Sequence, residues 1–273
     1  AGLDVEASSN CYPLLADLIK EGKLDEEILN ESVRRVLYVK FKMGLFEDPY
    51  GERYAHCKMH PQEGVQLSKE ISDESVVLLK NENGLLPLNA EKLRSVAVIG
   101  PNADQVQFGD YTWSRNNKDG MTPLAGIRQL LGDKVTVRYE KGCSLVSLDT
   151  SGIKKAVEVA RQSEVAIVFC GSASAALARD YKSSTCGEGF DLNDLNLTGA
   201  QSQLIKEVYE TGTPVVLVLV TGKPFTISWE KKHIPAILTQ WYAGEQAGNS
   251  IADILFGKIS PSGRLTFSFP QST

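Results

Sequence analysis

The chain has 273 residues, of which 42% are hydrophobic and 23% charged, and its formal net charge is -5 at pH 7. That length allows one large domain or two smaller ones with a substantial core, and the acidic balance argues against a nucleic-acid partner. The longest apolar run, Val215–Val220, is far shorter than the roughly 18 residues that a membrane-spanning helix needs, so we also expect no membrane partner.

Cysteine and histidine are few and scattered. The five cysteines form no CxxC pair and no cluster with the three histidines, so the sequence predicts neither a disulfide framework nor a zinc site. The stretch "HCKMH", which includes His56 and His60, could resemble a metal site, but a solvated connector accounts for it better. We expect no metal and no cofactor.

The first 50 residues predict two helices. Apolar residues recur near the helical period between residues 12 and 45, with Asp25 as a candidate N-cap and Gly44 as a candidate stop. Two helices alone have nothing to bury their apolar faces against, so residues 1–50 resemble the edge of a domain whose body lies elsewhere. Residues 51–66 are rich in Pro, Gly and charge and are interpreted as a linker.

Residues 67–273 are predicted to form one α/β domain. A helix near residues 63–72 and a strand with a turn precede an alternation of strands and helices. The predicted strands are 95–100, 134–142, 164–171, 214–222 and 234–242, and the helices between and after them are 122–132, 151–163, 198–212 and 245–257. Apolar runs without alternation indicate strands covered on both faces. The pattern therefore predicts an open, mostly parallel sheet sandwiched by helices, of the flavodoxin-like kind.

Ligands of such sheets gather at the carboxyl ends of the strands, and two loops there are long. They span residues 100–121 and 171–194. The first holds Tyr111 and Trp113, which either plug the edge of the domain or stack on a sugar ring. Because "VIGPNAD" lacks the GxGxxG spacing, a tight turn explains that strand end better than a nucleotide site does.

The second long loop holds Glu188 between two glycines. Its acidic neighbours Asp180, Asp191 and Asp194 favour a solvated acidic loop. The alternative is a general acid on a loop that closes over a substrate. Spacing alone leaves both interpretations open.

An ordered series of motifs resembles the family 3 glycoside hydrolases in their two-domain β-glucosidase and β-xylosidase form. The series runs through nearly all of the chain: "AGLDVE", "ESVRRVLYVKFKMGLFEDPY", "SKEISDESVVLLKNENGLLPL", "VAVIGPNAD", "EVAIVFCG", "GFDLNDLNLTGAQ", "PVVLVLVTGKPF" and "QWYAGEQAGNSIADILFGKISPSGRLTFSFP". Under this resemblance, residues 1–50 end a (β/α)8 barrel and residues 67–273 form the second domain.

The resemblance implies a retaining, exo-acting hydrolysis of terminal β-D-glucosyl or xylosyl residues. Glu188 matches the acid/base glutamate, Trp113 and then Tyr111 match the aromatic that holds the leaving sugar, and the nucleophilic aspartate lies in an SDW-type motif absent from these residues. One departure is Asp191-Leu192, where the family often has Asp-Arg.

The resemblance also sets expectations about partners and location. The chain is expected to need the missing barrel domain of the same polypeptide and to be inactive alone, and a periplasmic or extracellular location is implied. The alternative is a non-catalytic domain that binds a small ligand or acts as a scaffold.

Overall fold

The computed structural model describes residues 3–7, 10–58, 60–112, 117–174 and 184–273. The chain divides into two compact units, Ala1–Met59 and His60–Thr273. The division falls within the segment that the sequence predicts as a linker.

The first unit contains helices α1 (Leu15–Lys20) and α2 (Glu26–Lys42). Asp25 caps α2 as predicted, since its Oδ1 accepts a hydrogen bond from the Glu27 amide at 3.0 Å. Neither helix buries a side chain, and Phe41 is 59% exposed. The apolar side of α2 thus lacks cover, and its interpretation as part of a barrel stays a prediction.

A bidentate ion pair holds the start of this unit. Arg35 donates through Nε to one carboxylate oxygen of Asp4 at 2.8 Å and through a terminal nitrogen to the other at 2.6 Å. The hydrogen bond from Arg35 lowers the pKa of Asp4. Asp4 therefore has a structural partner within this unit.

The second unit is a sheet with helices on both faces. Its helices are α3 (Gln62–Ser75), α4 (Pro123–Leu131), α5 (Ile153–Arg161), α6 (Gln201–Tyr209), α7 (Ser228–His233) and α8 (Ala247–Leu255). Its strands are β1 (Val77–Asn81), β2 (Ser95–Ile99), β3 (Thr136–Glu140), β4 (Val165–Gly171), β5 (Val215–Val220) and β6 (Ala236–Thr239).

The six-stranded sheet has the order β1-β6-β5-β4-β2-β3. All neighbouring pairs are parallel except β1 and β6. This confirms the predicted open, mostly parallel α/β sheet. The chain runs outward from β2 to β3 and then crosses back to β4, so the topological switch point lies between β2 and β4.

The core has two layers, one on each face of the sheet. Every residue of β4 and β5 is buried, as their unbroken apolar runs predicted. Alternate side chains such as Phe169 join α4 and α8 on one face, and their neighbours such as Val168 join α5 and α6 on the other. Each fully buried aliphatic or aromatic side chain contributes about 1.5–3 kcal/mol, so these two central strands anchor the unit.

Two further observations bear on the sequence analysis. The sequence did not predict the six-residue helix α7, because so short an element has little periodicity to detect. Among the residues that the structure describes, no helix combines the length and apolar character that crossing a membrane requires.

Candidate active site

The two long loops meet at the switch point of the sheet. Asn102, just after β2, donates from Nδ2 to the carbonyl oxygen of Ser172, just after β4, at 3.1 Å. Both residues are fully buried. Because β2 and β4 are adjacent and parallel, the segments that leave their carboxyl ends start side by side.

Two short segments of the second loop pair with each other just before the turn that carries Glu188. The Thr185 amide donates to the Ala173 carbonyl at 3.0 Å, and the Ala173 amide donates to Thr185 Oγ1 at 3.0 Å. Ser174 and Cys186 form a parallel bridge beside them. The segment that carries Glu188 therefore leaves the sheet from a defined position.

Glu188 occupies the corner of a tight turn. The Phe190 amide donates to the Gly187 carbonyl at 3.1 Å, which closes a four-residue turn. Gly187 has φ 123° and Gly189 has φ 69°, conformations that residues with a Cβ rarely adopt. The glycines on either side of Glu188 are thus required by the turn, and the glutamate itself is exposed.

One hydrogen bond ties this turn to the first loop. The Glu188 amide donates to Asp110 Oδ2 at 2.7 Å, and Asp110 is half-buried. The other oxygen, Asp110 Oδ1, is buried and accepts no hydrogen bond from the described part of the chain. The sequence analysis did not single out Asp110, since nothing local distinguishes it from other loop aspartates.

Tyr111 follows Asp110 directly. Its side chain is 78% exposed, and its φ of 61° is uncommon for a residue other than glycine. The structure therefore brings two of the three predicted site residues, Glu188 and Tyr111, onto segments joined by a hydrogen bond. Trp113, the third, lies outside the described residues.

A buried chain of hydroxyl and thiol groups supports the base of the site. Tyr242, after β6, has its hydroxyl 2.6 Å from Ser172 Oγ and 3.0 Å from Cys186 Sγ. Ser172 Oγ donates in turn to Thr221 Oγ1, after β5, at 3.2 Å. Burial, and secondarily Cys186, raise the pKa of Tyr242, so its hydroxyl stays protonated. The segments after β4, β5 and β6 are thereby joined to Cys186, two residues before Glu188. Sequence reasoning missed this network because these residues form no recognisable motif.

Lys223 is half-buried and brings an amine to this region. Its Nζ is inaccessible to solvent and has no hydrogen-bond partner among the residues with described positions. Burial lowers the pKa of Lys223, while Cys186 and Asp194 oppose that shift. No group of three or more His, Cys, Asp or Glu side chains in the described ranges could hold a metal ion. The two predicted site residues that the structure describes, Glu188 and Tyr111, are both exposed at this edge of the sheet.

Comparison with known proteins places this chain in a family. Residues 76–273 match the sequence profile described as "Glycosyl hydrolase family 3 C-terminal domain". The chain is 36% identical over 307 residues to the periplasmic beta-glucosidase of Salmonella typhimurium, covering 100% of the chain and 38% of that protein. It is 33% identical over 277 residues to a beta-xylosidase of Formosa agariphila, covering 99% of the chain and 37% of that protein.

A solved structure gives the same result. The beta-glucosidase of Listeria innocua in complex with isofagomine superposes with a TM-score of 0.85 at 32% identity, over 99% of this chain and 36% of that one. The chain thus spans a little over a third of the length of the relatives it matches. The profile match and these relatives together confirm the resemblance seen in the motifs. The chain belongs to glycosyl hydrolase family 3 and contains its C-terminal domain.

Proposed function

We propose that this chain supplies the acid/base residue of a retaining, exo-acting β-glycosidase that removes terminal non-reducing β-D-glucosyl or xylosyl residues, and that this residue is Glu188. The observation that carries the proposal is the placement of Glu188. It is an exposed carboxylate on a turn at the switch point of the sheet, tied to the neighbouring strand-end loop by its own amide. Open α/β sheets bind their ligands in this crevice.

Two proton transfers follow from this role. In the first step a carboxylate from outside these residues attacks the anomeric carbon, and the protonated Glu188 gives its proton to the departing glycosidic oxygen. In the second step the ionised Glu188 takes a proton from water, whose oxygen attacks the anomeric carbon and releases the nucleophile. Retention requires the two carboxyl groups to lie about 5 Å apart.

Tyr111 is the described candidate for a contact with the leaving sugar. Its ring is largely exposed and belongs to the residue beside the Asp110 anchor. Aromatic faces suit the apolar face of a pyranose ring. Trp113, two residues on, remains the first choice from the family resemblance.

We further propose that the chain acts together with a barrel domain of the same polypeptide and is inactive without it. Uncovered apolar surface on the second unit supports this. A groove of about 440 Å³ lies beside α3 and the segment after β6, with a lining that includes Leu67, Ile71 and Trp241. Leu67 and Ile71 are 55% and 62% exposed. They line the same groove and so form one apolar patch, whereas single apolar residues scattered over a surface are normal. The Salmonella relative's name supports a periplasmic location.

The test is the Glu188→Ala variant of the polypeptide that includes the barrel. Aryl β-glucosides and β-xylosides with good and poor leaving groups would be compared, with and without azide. We expect kcat/KM to collapse on poor leaving groups, by a factor on the order of 10²–10⁴, and azide to yield a glycosyl azide of retained configuration. Glu91→Ala, which removes another exposed glutamate, is the matched control and should retain wild-type kinetics.

Wild-type turnover of Glu188→Ala on every substrate would refute the role of Glu188. If the chain then bound glucose or xylose by itself, a ligand-binding module would be the better assignment. If it bound neither and only stabilised the barrel, it would be a scaffold. The ratio of glucoside to xyloside turnover in the wild type decides between the two sugars.

A further inference from the structure

We propose that Asp110 is the positioning residue for Glu188, holding the turn through the Glu188 amide so that the carboxylate keeps one placement over the site. This inference rests on the proposed acid/base role and adds a residue to it. Asp110 lies on the loop after β2 and Glu188 on the loop after β4, 78 residues apart in the chain. The bond therefore joins two segments that could otherwise move independently.

The strength of this contact suits an anchor. An ionised carboxylate that accepts a backbone N–H makes a charge-assisted hydrogen bond, which is about twice as strong as a neutral one. The distance of 2.7 Å lies at the short end of the usual range, and Asp110 is half-buried. Asp110 Oδ2 bonds the acid/base residue's own backbone rather than a neighbour's.

The turn needs such an anchor because its local restraints are weak. Gly187 and Gly189 both adopt positive φ, and glycine reaches many other conformations at little cost. Within the turn, the Phe190 amide donates a hydrogen bond to the Gly187 carbonyl. An acid that protonates a departing oxygen must lie within hydrogen-bond reach of it, and an error of 1 Å can cost about a hundredfold in rate.

Asp110 also links the acid to the proposed sugar contact. Tyr111 is its immediate neighbour and has a positive φ, so the backbone at this point is restricted to an uncommon conformation. Fixing Asp110 against Glu188 fixes the start of the Tyr111 segment at the same time. The backbones of Glu188 and Tyr111 are thereby held relative to each other.

Only one oxygen of Asp110 makes this contact. Oδ1 is buried but receives no hydrogen bond from any described residue. An asparagine keeps the acceptor oxygen facing the Glu188 amide and places its NH₂ where Oδ1 lies. Asp110→Asn should therefore keep the bond, whereas Asp110→Ala removes it, and this contrast separates anchoring from general loss of a side chain.

The kinetic test uses the barrel-containing polypeptide. We expect Asp110→Ala to lower kcat/KM on glycosides with poor leaving groups by about ten- to a hundredfold, with much less effect on activated aryl glycosides, which need little acid assistance. Asp110→Asn should recover part of the loss, because its amide oxygen still accepts from the Glu188 amide but without the charge that strengthens the bond. In a Glu188→Ala background, Asp110→Ala should cost nothing further, because Asp110 acts through Glu188.

A second measurement reads the geometry directly. Amide hydrogen exchange of the peptide that contains residues 187–189 should be at least tenfold faster in Asp110→Ala than in the wild type or Asp110→Asn. Asp133→Ala, which removes an exposed aspartate elsewhere, is the charge-matched control and should change neither readout. If Asp110→Ala does not fold, Asp110→Ser, whose hydroxyl is too short to reach the amide, takes its place.

The proposal is overturned if kcat/KM of Glu188→Ala collapses on poor leaving groups while Asp110→Ala keeps wild-type kinetics and a wild-type rate of amide hydrogen exchange. An equal loss from Asp110→Ala with and without Glu188 would also overturn it, since Asp110 would then act by another route. If Glu188→Ala itself keeps full turnover, the acid/base assignment fails first and the role of Asp110 falls with it. The kinetics of Glu188→Ala distinguish these failures. That variant loses turnover on poor leaving groups when only the Asp110 proposal fails, and keeps it when the acid/base assignment fails.

Discussion

Gln201 offers the sharpest test of how the site is held on the sheet. It lies at the start of α6 and is fully buried. Its Oε1 accepts from the Gly171 amide at 2.7 Å, and its Nε2 lies 3.0 Å from both the Gly171 and the Leu145 carbonyl oxygens. The side-chain amide of Gln201 thus pairs with both backbone polar groups of Gly171, the last residue of β4. The loop that carries Glu188 begins at this residue. We therefore predict that Gln201→Met, which keeps the volume and removes the polar atoms, destabilises the second unit.

The expected loss in the free energy of unfolding follows from the backbone groups that Gln201→Met leaves without a hydrogen-bond partner. Met leaves the Gly171 N–H and at least one carbonyl oxygen buried without a partner, and each such group costs about 1–3 kcal/mol. Burying methionine costs less desolvation free energy than burying an amide, which offsets part of this, so we expect a loss of about 2–4 kcal/mol. For a unit of this size, that corresponds to a fall in Tm of about 5–15 °C.

Urea unfolding followed by tryptophan fluorescence measures this loss. The three tryptophans are at positions 113, 229 and 241, all in the second unit, so the signal reports on that unit alone. Gln203→Met is the matched control, since Gln203 lies on the same helix but is exposed and bonds only Glu207 in the described contacts. We expect it to change the free energy of unfolding by less than about 0.5 kcal/mol.

A loss below about 0.5 kcal/mol for Gln201→Met, with the urea m-value unchanged, would refute this reasoning. It would mean that the Gly171 backbone groups find other partners when the amide is removed. A loss equal to that of Gln203→Met would contradict it in the same way, because burial is the feature that separates the two glutamines.

Three further predictions concern other parts of the described structure. Tyr242→Phe, which removes the hydroxyl between Ser172 and Cys186, should lower the free energy of unfolding in urea by about 1 kcal/mol. Thiol titration of the native chain with Ellman's reagent should show two fast cysteines and two protected ones until denaturant is added. The fast pair is Cys11 and Cys57, and the protected pair is Cys143, whose pKa burial raises to about 11, and Cys170. The backbone hydrogen bond from Arg94 lowers the pKa of Glu164, so this contact stabilises the fold above the unfolded pKa of about 4.3 and is lost as pH falls through the lower folded value. Glu164→Gln should thus be less stable than wild type at pH 7 in thermal melts, and the difference should vanish in acid.

Much of the local structure followed from the sequence, because the signals are local. Unbroken apolar runs predicted β4 and β5, and Asp25 before an amphipathic stretch predicted the start of α2. The two glycines beside Glu188 indicated backbone freedom, and the structure uses it for a turn closed by the Phe190 amide. Each of these features depends on interactions between residues close together in the chain, so a short stretch of sequence is enough to predict it.

The candidate site depended on the tertiary structure. Nothing near Asp110 in the sequence predicts a bond to Glu188, and nothing near Tyr242 predicts contacts with Ser172 and Cys186. These pairs lie 56 to 78 residues apart and meet because β2, β4, β5 and β6 are neighbours in a parallel sheet. Strand order is set by how the whole core packs, so the sequence alone determined which residues could act at the strand ends, and the fold decided which of them share one edge.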